Sequence, residues 1–363
     1  MKTNLLQQFA EELKSQFEND NKNVDYSKGV LSIKDHSELM LRQHKNGKRK
    51  GETTHIPELD PHYTWKRGFL QCFTGNPNCG KSEFLLQISL IKAMFSDWKF
   101  GLYVPENMSS ENGEMTPDEI ADTLIHSLSG QTTDPDYKES QIPREAYLKA
   151  IEVIDKNFVI IYPPERIKTA PLLLEYFQHV QDEHKLDAFI IDPFNKLHHK
   201  YSGLIDEYLM EKFAEFKEFA VKNNVVFSIV EHPTKQQKNQ DGSYPMATQF
   251  SLRGGAAWNN AMDFIGSIHR PNLHESYTDT KVEFHSLKVR NQKLFGMPGI
   301  VEMDFNRGQN RYVFESGNPL QKLDKNYSGT LKPLTPMQEL QKFPVADNNF
   351  ESENSLDLRE AKF

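Results

Sequence analysis

Between residues 69 and 315, short apolar runs alternate with longer amphipathic ones. The apolar runs are "GFLQCFT", "KFGLYVPE", "FVIIYPP", "AFIIDP", "VVFSIVEH", "DFIGSIHR" and "VEFHSLKVR". They are short, rich in β-branched and aromatic residues, and bounded by turn formers or charges, which predicts strands. The early ones are apolar almost throughout, as strands are when both faces of a parallel sheet are covered. Between them "EFLLQISLIKAMF", "TPDEIADTLIHSL", "APLLLEYFQHVQDEH" and "DEYLMEKFAEFKEFAVKNN" read as helices. This alternation predicts an α/β domain with a mostly parallel, doubly wound sheet, closed by hairpin-like antiparallel strands.

The flanks read differently. Residues 1–30 suggest a short helix with Leu5, Phe9, Leu13 and Phe17 spaced by four, a stripe suited to the chain's own core or to a neighbouring subunit. Residues 42–68, "RQHKNGKRKGETTHIPELDPHYTWKRG", are polar and basic with Gly and Pro punctuation and read as a linker. After residue 318 the chain turns polar, and a disordered tail is expected. Its end carries Asp347, Glu351, Glu353, Asp357 and Glu360 against Arg359 and Lys362. It reads as a solubilising tail, with a docking peptide for a partner as the sharper alternative. The expected organisation is an arm over 1–65, a catalytic domain over 66–317 and a tail over 318–363.

Composition narrows the function classes. No stretch among the 363 residues approaches the roughly 18 apolar residues of a membrane span. The amphipathic, acid-bearing N-terminus reads as neither a signal nor a transit peptide. The two cysteines, Cys72 and Cys79, form no metal-ligand or disulfide pattern, so a reducing, cytoplasmic compartment is expected. A net charge of -8 gives no bulk attraction to nucleic acid. Any DNA binding must come from local basic loops, or from several copies focused on one channel.

The chemistry concentrates at strand ends. "GNPNCGKS" (Gly75, Asn76, Pro77, Asn78, Cys79, Gly80, Lys81, Ser82) follows an apolar strand and opens a helix, the context of a phosphate-binding P-loop. ATP with Mg²⁺ is the expected cofactor pair, another NTP or dNTP being an open alternative. Lys81 would bridge the β- and γ-phosphates and Ser82 would ligate Mg²⁺. Cys79 inside this loop is either inert or a point of thiol sensitivity. In "AFIIDP", Asp192 stands at a strand's C-terminal edge, where a Walker B acid contacts the Mg²⁺ shell. Pro193 follows, so the base that activates water must come from elsewhere, and Glu106 in "GLYVPENMS" is the candidate. His232 in "VVFSIVEHPTK" ends another strand beside the same pocket. The segment from Pro233 to Leu252 is long and polar, and loops beyond about 12 residues are usually functional or disordered. His198 and His199 are adjacent, which does not suit two ligands of one metal ion.

Together these motifs resemble the RecA-like motor of hexameric replicative DNA helicases, the DnaB/Twinkle group of superfamily 4, and above all the helicase half of phage primase-helicases. The likeness runs from about Gly68 to Asn306 through "GNPNCGKS", "VPEN", "FIIDPFNKL", "VEHPTK", "SLRGGAAWNNAMD" and "LKVRNQKLFGMPG". The last two are the discriminating ones. The resemblance implies a RecA-like P-loop fold and ATPase roles for Lys81, Ser82, Glu106 and Asp192. It implies a phosphate sensor in His232, an arginine finger in Arg290 reaching a neighbouring subunit's site, a companion in Lys288, and an aromatic against adenine in Phe305. It makes the loop after His232 a grip on single-stranded DNA, with Lys235 and Lys238 on phosphates, Arg253 at the loop's base, and Lys196 and Lys200 on the same side. The implied assembly is a homo-hexamer on single-stranded and forked DNA, moving 5′ to 3′. Primase activity would come from another polypeptide, with a polymerase or single-strand-binding protein as further partners and a phage or mobile-element origin. A RecA/RadA-like strand-exchange ATPase and a nucleotide-gated loading factor are the alternatives.

Overall fold

The computed structural model describes residues 32–105, 117–138, 140–162, 169–197 and 203–327. The chain divides into two units, Met1–Lys50 and Gly51–Phe363. In the first, Ser32 caps a 3-10 turn, Ile33–His36, by accepting from the Lys34 N–H, and α1 (Ser37–Asn46) follows. No described residue of either element is buried, and Leu39, Met40 and Leu41 are exposed. The stripe expected over residues 1–30 lies outside the described residues.

The second unit is built on a nine-stranded sheet. Its strands are β1 (Leu70–Thr74), β2 (Phe100–Tyr103), β3 (Phe158–Ile160), β4 (Ala188–Ile191), β5 (Val226–Val230), β6 (Phe264–His269), β7 (Lys281–Val289), β8 (Gly299–Asn306) and β9 (Arg311–Val313). They lie in the order β3-β2-β4-β5-β1-β6-β7-β8-β9. Pairing is parallel from β3 to β6 and antiparallel from β6 to β9, as the sequence pattern predicts. The helices are α2 (Lys81–Ser96), α3 (Pro117–Ser129), α4 (Arg144–Asn157), α5 (Ala170–His184), α6 (Ile205–Lys222), α7 (Gly255–Ala261), α8 (Gln292–Phe295) and α9 (Asp324–Tyr327).

Alternate strand residues feed two cores, which is why the inner strands are apolar throughout. Phe73, Ile190, Val226 and Val230 pack with Phe84, Ile88 and Ile91 of α2 on one face. Phe189, Ile191, Phe227 and Ile229 pack with Phe177 of α5 and Phe213, Phe216 and Phe219 of α6 on the other. Phe177 stacks on Phe189 and Phe216 on Phe227, each pair at 4.9 Å between centroids.

Two expected boundaries move. The stretch 51–65, read as part of a linker arm, belongs to the core: Ile56, Leu59, Tyr63 and Trp65 are fully buried there. Glu52 and Trp65 exchange backbone hydrogen bonds of 2.7 and 2.9 Å, and Gln71 Nε2 donates to the Tyr63 hydroxyl at 3.0 Å. These side chains enter the core singly, at irregular spacing, so no period of 2 or 3.6 announces them. At the other end, residues 318–327 are also packed. The buried Arg311 guanidinium donates to the Ser127 and Leu128 carbonyls and to Asp324, at 2.7–2.8 Å, while Leu320 is fully buried. The rest of the expected tail lies outside the described residues.

Candidate active site

The phosphate loop joins the central strand β1 to the buried helix α2, and its shape depends on two glycines. Gly75 has φ +151, and a Cβ there would stand 2.3 Å from the Ile268 carbonyl oxygen. Gly80 has φ +82, and its Cβ would stand 2.1 Å from the Tyr312 hydroxyl. That hydroxyl donates to the Gly80 carbonyl at 2.8 Å, so β9 props the loop from beneath. The side chain of Lys81, the first residue of α2, is buried and donates to the Asn76 carbonyl at 3.2 Å, curled back over the loop it serves. The α2 N-terminus adds backbone donors and a partial positive charge at the same place.

The strand order brings the other candidates alongside. β5, β4 and β2 follow β1 in succession, so their C-terminal ends form one row next to the phosphate loop. Asp192 ends β4, is buried, and its N–H donates to the Tyr103 carbonyl at 3.0 Å, joining the ends of β4 and β2. Asp192 and Ser82 line one cavity of about 440 Å³. A hydroxyl and a carboxylate facing shared space are hard oxygen donors of the kind Mg²⁺ takes. His232 lines a neighbouring cavity of about 460 Å³ with Gly80, Lys81, Ser82, Phe305 and Tyr312. Phe305 lies 4.8 Å from Tyr312 between ring centroids, giving that cavity an aromatic wall. A phosphate cradle, two oxygen donors and an aromatic wall fit a magnesium nucleotide. Glu106 lies outside the described residues, as do His198, His199 and Lys200. Burial pushes the Cys79 thiol pKa up, which argues for the inert reading of that residue.

Sequence reasoning passed over Glu231. It sits at the end of β5, buried, with Oε1 accepting from the His232 N–H at 3.2 Å. Burial pushes its pKa up to about 8, against the opposing pull of the His232 N–H and the Lys81 ammonium. Its neighbour His232 drew the attention, and a strand-end Glu carries no signal without the sheet order that sets it near Lys81.

Arg290 and Lys288 lie at the opposite edge of the sheet. Val289 pairs with Phe264 at the start of β6, and Asp263 just before it accepts from the Leu70 N–H at the start of β1, at 2.9 Å. Arg290 Nη1 meets Asp263 at 3.0 Å and Lys217 meets it at 2.5 Å, while the Arg290 side chain stays 48% exposed. Lys288 donates to the Asn259 carbonyl, and burial, then Arg290, lowers its pKa. The length of β1, about 16 Å at roughly 3.3 Å per residue, separates Arg290 from the phosphate loop of its own chain.

The segment after His232 is irregular up to a 3-10 turn at Gln249–Ser251. Its ends are pinned where the Thr234 N–H and hydroxyl both donate to the Ser251 carbonyl at 2.8 Å. Asn76 Nδ2 donates to the Pro245 carbonyl at 2.9 Å, which fastens this segment to the phosphate loop. Lys235 and Lys238 are exposed on it, and Lys196 is exposed beyond β4 at the same edge. Arg253 is exposed at the segment's C-terminal base and receives the Trp258 Nε1–H on its carbonyl at 3.1 Å.

No family model matches the chain. A Twinkle homolog protein, chloroplastic/mitochondrial, of Arabidopsis thaliana is 24% identical over 289 residues, covering 78% of this chain and 40% of the relative. The chain thus spans well under half the length of that relative. The solved ATPase domain of one DnaB-like replicative helicase superposes with a TM-score of 0.63 at 18% identity, covering 78% of this chain and 99% of that one. A second DnaB-like replicative helicase, solved in a study of its interactions with primase, gives 0.62 at 18% identity, covering 85% and 75%. The chain therefore has the RecA-like ATPase fold of DnaB-like replicative helicases, and its resemblance to the DnaB/Twinkle group holds in fold and in a distant sequence match.

Proposed function

We propose that this chain is the ATP-driven, Mg²⁺-dependent motor of a replicative DNA helicase, working as a ring of copies and moving 5′ to 3′ on single-stranded DNA. One observation carries the reading. The phosphate cradle and the candidate DNA segment share one sheet edge and are joined by the Asn76–Pro245 hydrogen bond, while Arg290 stands at the far edge. A guanidinium that far from its own phosphate loop can serve only a nucleotide held by another copy. That supports a ring in which each site is completed in trans, by homo-hexamer formation. The exposed Leu39, Met40 and Leu41 of α1 offer apolar surface for such contacts.

In this reading Lys81 and the α2 N-terminus hold the β- and γ-phosphates. Mg²⁺, when bound by Ser82 and Asp192, would neutralise charge on those phosphates. Glu106 orients and deprotonates the attacking water, and His232 hydrogen-bonds the γ-phosphate and reports its loss to the segment that follows. Arg290, from the neighbouring copy, stabilises the charge of the transferring phosphoryl group. Lys235, Lys238 and Lys196, with Lys200 and Arg253, supply the positive charge that a net-acidic chain needs locally, multiplied around a central strand. A separate primase, polymerase or single-strand-binding protein would complete the machinery. No described helix is long and apolar enough to cross a membrane, and the two buried free thiols agree with a reducing cytoplasm.

The test is unwinding of a forked duplex by the full chain, beside Lys81→Ala, on forks lacking either tail. Unwinding that needs ATP and the 5′ tail is the expected result. DNA-stimulated hydrolysis without unwinding would instead support the strand-exchange or loading readings.

A further inference from the structure

A cavity of about 390 Å³ opens on the outer side of the phosphate loop, between that loop, the segment 233–244 and the turn after β6. It is distinct from the nucleotide cavity, with which it shares only Asn78, Cys79 and Arg270. Its size falls at the small end of ligand pockets, which run from roughly 300 to 1,000 Å³. Two tyrosine rings line it and remain available, Tyr244 at 43% and Tyr277 at 50% exposed. The Lys238 ammonium sits 5.1 Å from the centroid of Tyr244, making a cation–π contact with that ring.

Two further lining residues carry unmet hydrogen-bonding capacity. Gln236 Oε1 and His269 Nδ1 are buried with no hydrogen-bond partner among the described residues. Polar atoms left so are costly and uncommon, and call for a partner. Burial lowers the His269 pKa, favouring a neutral ring with one donor and one acceptor nitrogen. An amide oxygen and a neutral imidazole match the edge of a nucleobase that carries an amino group.

We propose that this cavity is a base subsite for single-stranded DNA, in which one nucleobase turned out of the strand stacks on Tyr244 and pairs with Gln236 and His269. The inference rests on the helicase reading and deepens it: Lys235 and Lys238 hold phosphates, while the cavity holds a base. The floor of the subsite is the phosphate loop itself. Arg270 donates from Nη1 to the Asn78 carbonyl at 3.3 Å and from Nη2 to the Tyr277 and Asp279 carbonyls at 2.9 and 2.8 Å. A base seated there presses on the loop that holds ATP. Stacking of this kind tolerates any base, and the Gln236 oxygen adds a preference for adenine, cytosine or guanine over thymine.

The experiment measures the affinity of the full chain for a labelled mixed-sequence single strand and for the same backbone made abasic at alternate positions, across a salt series. The base-bearing strand is expected to bind about tenfold more tightly, the scale of one base–aromatic stack. Tyr244→Ala should remove most of that advantage while leaving the abasic affinity and the salt slope as in the native chain; Tyr244→Phe should restore it. Lys235→Ala with Lys238→Ala should weaken both strands and flatten the salt slope. Equal affinity of the native chain for the two strands, or an equal loss on both in Tyr244→Ala, overturns the base subsite and leaves the helicase reading standing. Failure to bind either strand overturns both.

Discussion

Glu231→Gln removes a charge while keeping the shape of the buried side chain beside the phosphate loop. Burial raises the Glu231 pKa from 4.5 to about 8 in the folded chain. Below pH 4.5 the carboxyl is protonated folded or unfolded, and contributes no slope. Between 4.5 and about 8 the folded chain keeps a proton that the unfolded chain has released, so stability falls as pH rises through this window, and levels off above it. At about 1.4 kcal/mol per tenfold of proton affinity, the upper limit is about 5 kcal/mol. Water relaxing into the crevice brings the expected loss to about 2–3 kcal/mol. The assay is urea unfolding of nucleotide-free native and Glu231→Gln chains at pH 5, 6.5 and 8. The buried His126 and His269, whose pKa values are lowered by burial, titrate with the opposite sign but in both chains, so the difference isolates Glu231. The gap should open in favour of the variant as pH rises. Parallel stability profiles would refute the reasoning. The functional corollary is that at neutral pH the proton on Glu231 leaves the Lys81 ammonium as uncompensated charge for phosphate.

Arg290→Ala should lower ATP turnover by about 10³-fold or more while leaving nucleotide binding intact. Mixing it with Lys81→Ala chains, which keep Arg290 but cannot hydrolyse, should rescue turnover; no rescue would sink the trans assignment. Its stability cost should stay within about 1 kcal/mol, because the pair is half exposed and Asp263 keeps Lys217 and the Leu70 N–H. Gly80→Ala should weaken binding of a fluorescent ATP analogue, since Tyr312 must move and the left-handed backbone is strained; unchanged affinity would mean the loop is not shaped as described. Trp65→Ala should cost about 3–5 kcal/mol in urea unfolding, the scale of a lost core aromatic. A cost under about 1 kcal/mol would return that stretch to the linker reading.

The legible parts were those with local periodicity. Each strand from β1 to β7 announced itself as a short apolar run, because both faces of an inner strand meet helices. The phosphate loop was legible because its glycines, lysine and serine must stand at fixed spacing, and the structure supplies the reason in Gly75 against Ile268 and Gly80 against Tyr312. Asp192 and His232 could be picked out as strand-end residues. That they stand in one row with Lys81 depends on β5 and β4 lying next to β1, an order no local pattern encodes.

Tertiary structure alone decided the rest. Tyr63 and Trp65 enter the core one by one from a segment rich in Gly, Pro and charge, so burial there follows from distant partners rather than from spacing. The pKa of Glu231, the Asn76–Pro245 tie and the cavity beside Tyr244 each join segments far apart in sequence. Lys288 and Arg290 looked like alternating residues of an edge-like strand, and only the register of β7 on β6 puts Arg290 a full strand length from its own phosphate loop. The sequence by itself determined which residue types could cradle phosphate and where the strands run. Packing decided which of them meet, because burial, register and strand order are properties of the whole sheet rather than of any window of the chain.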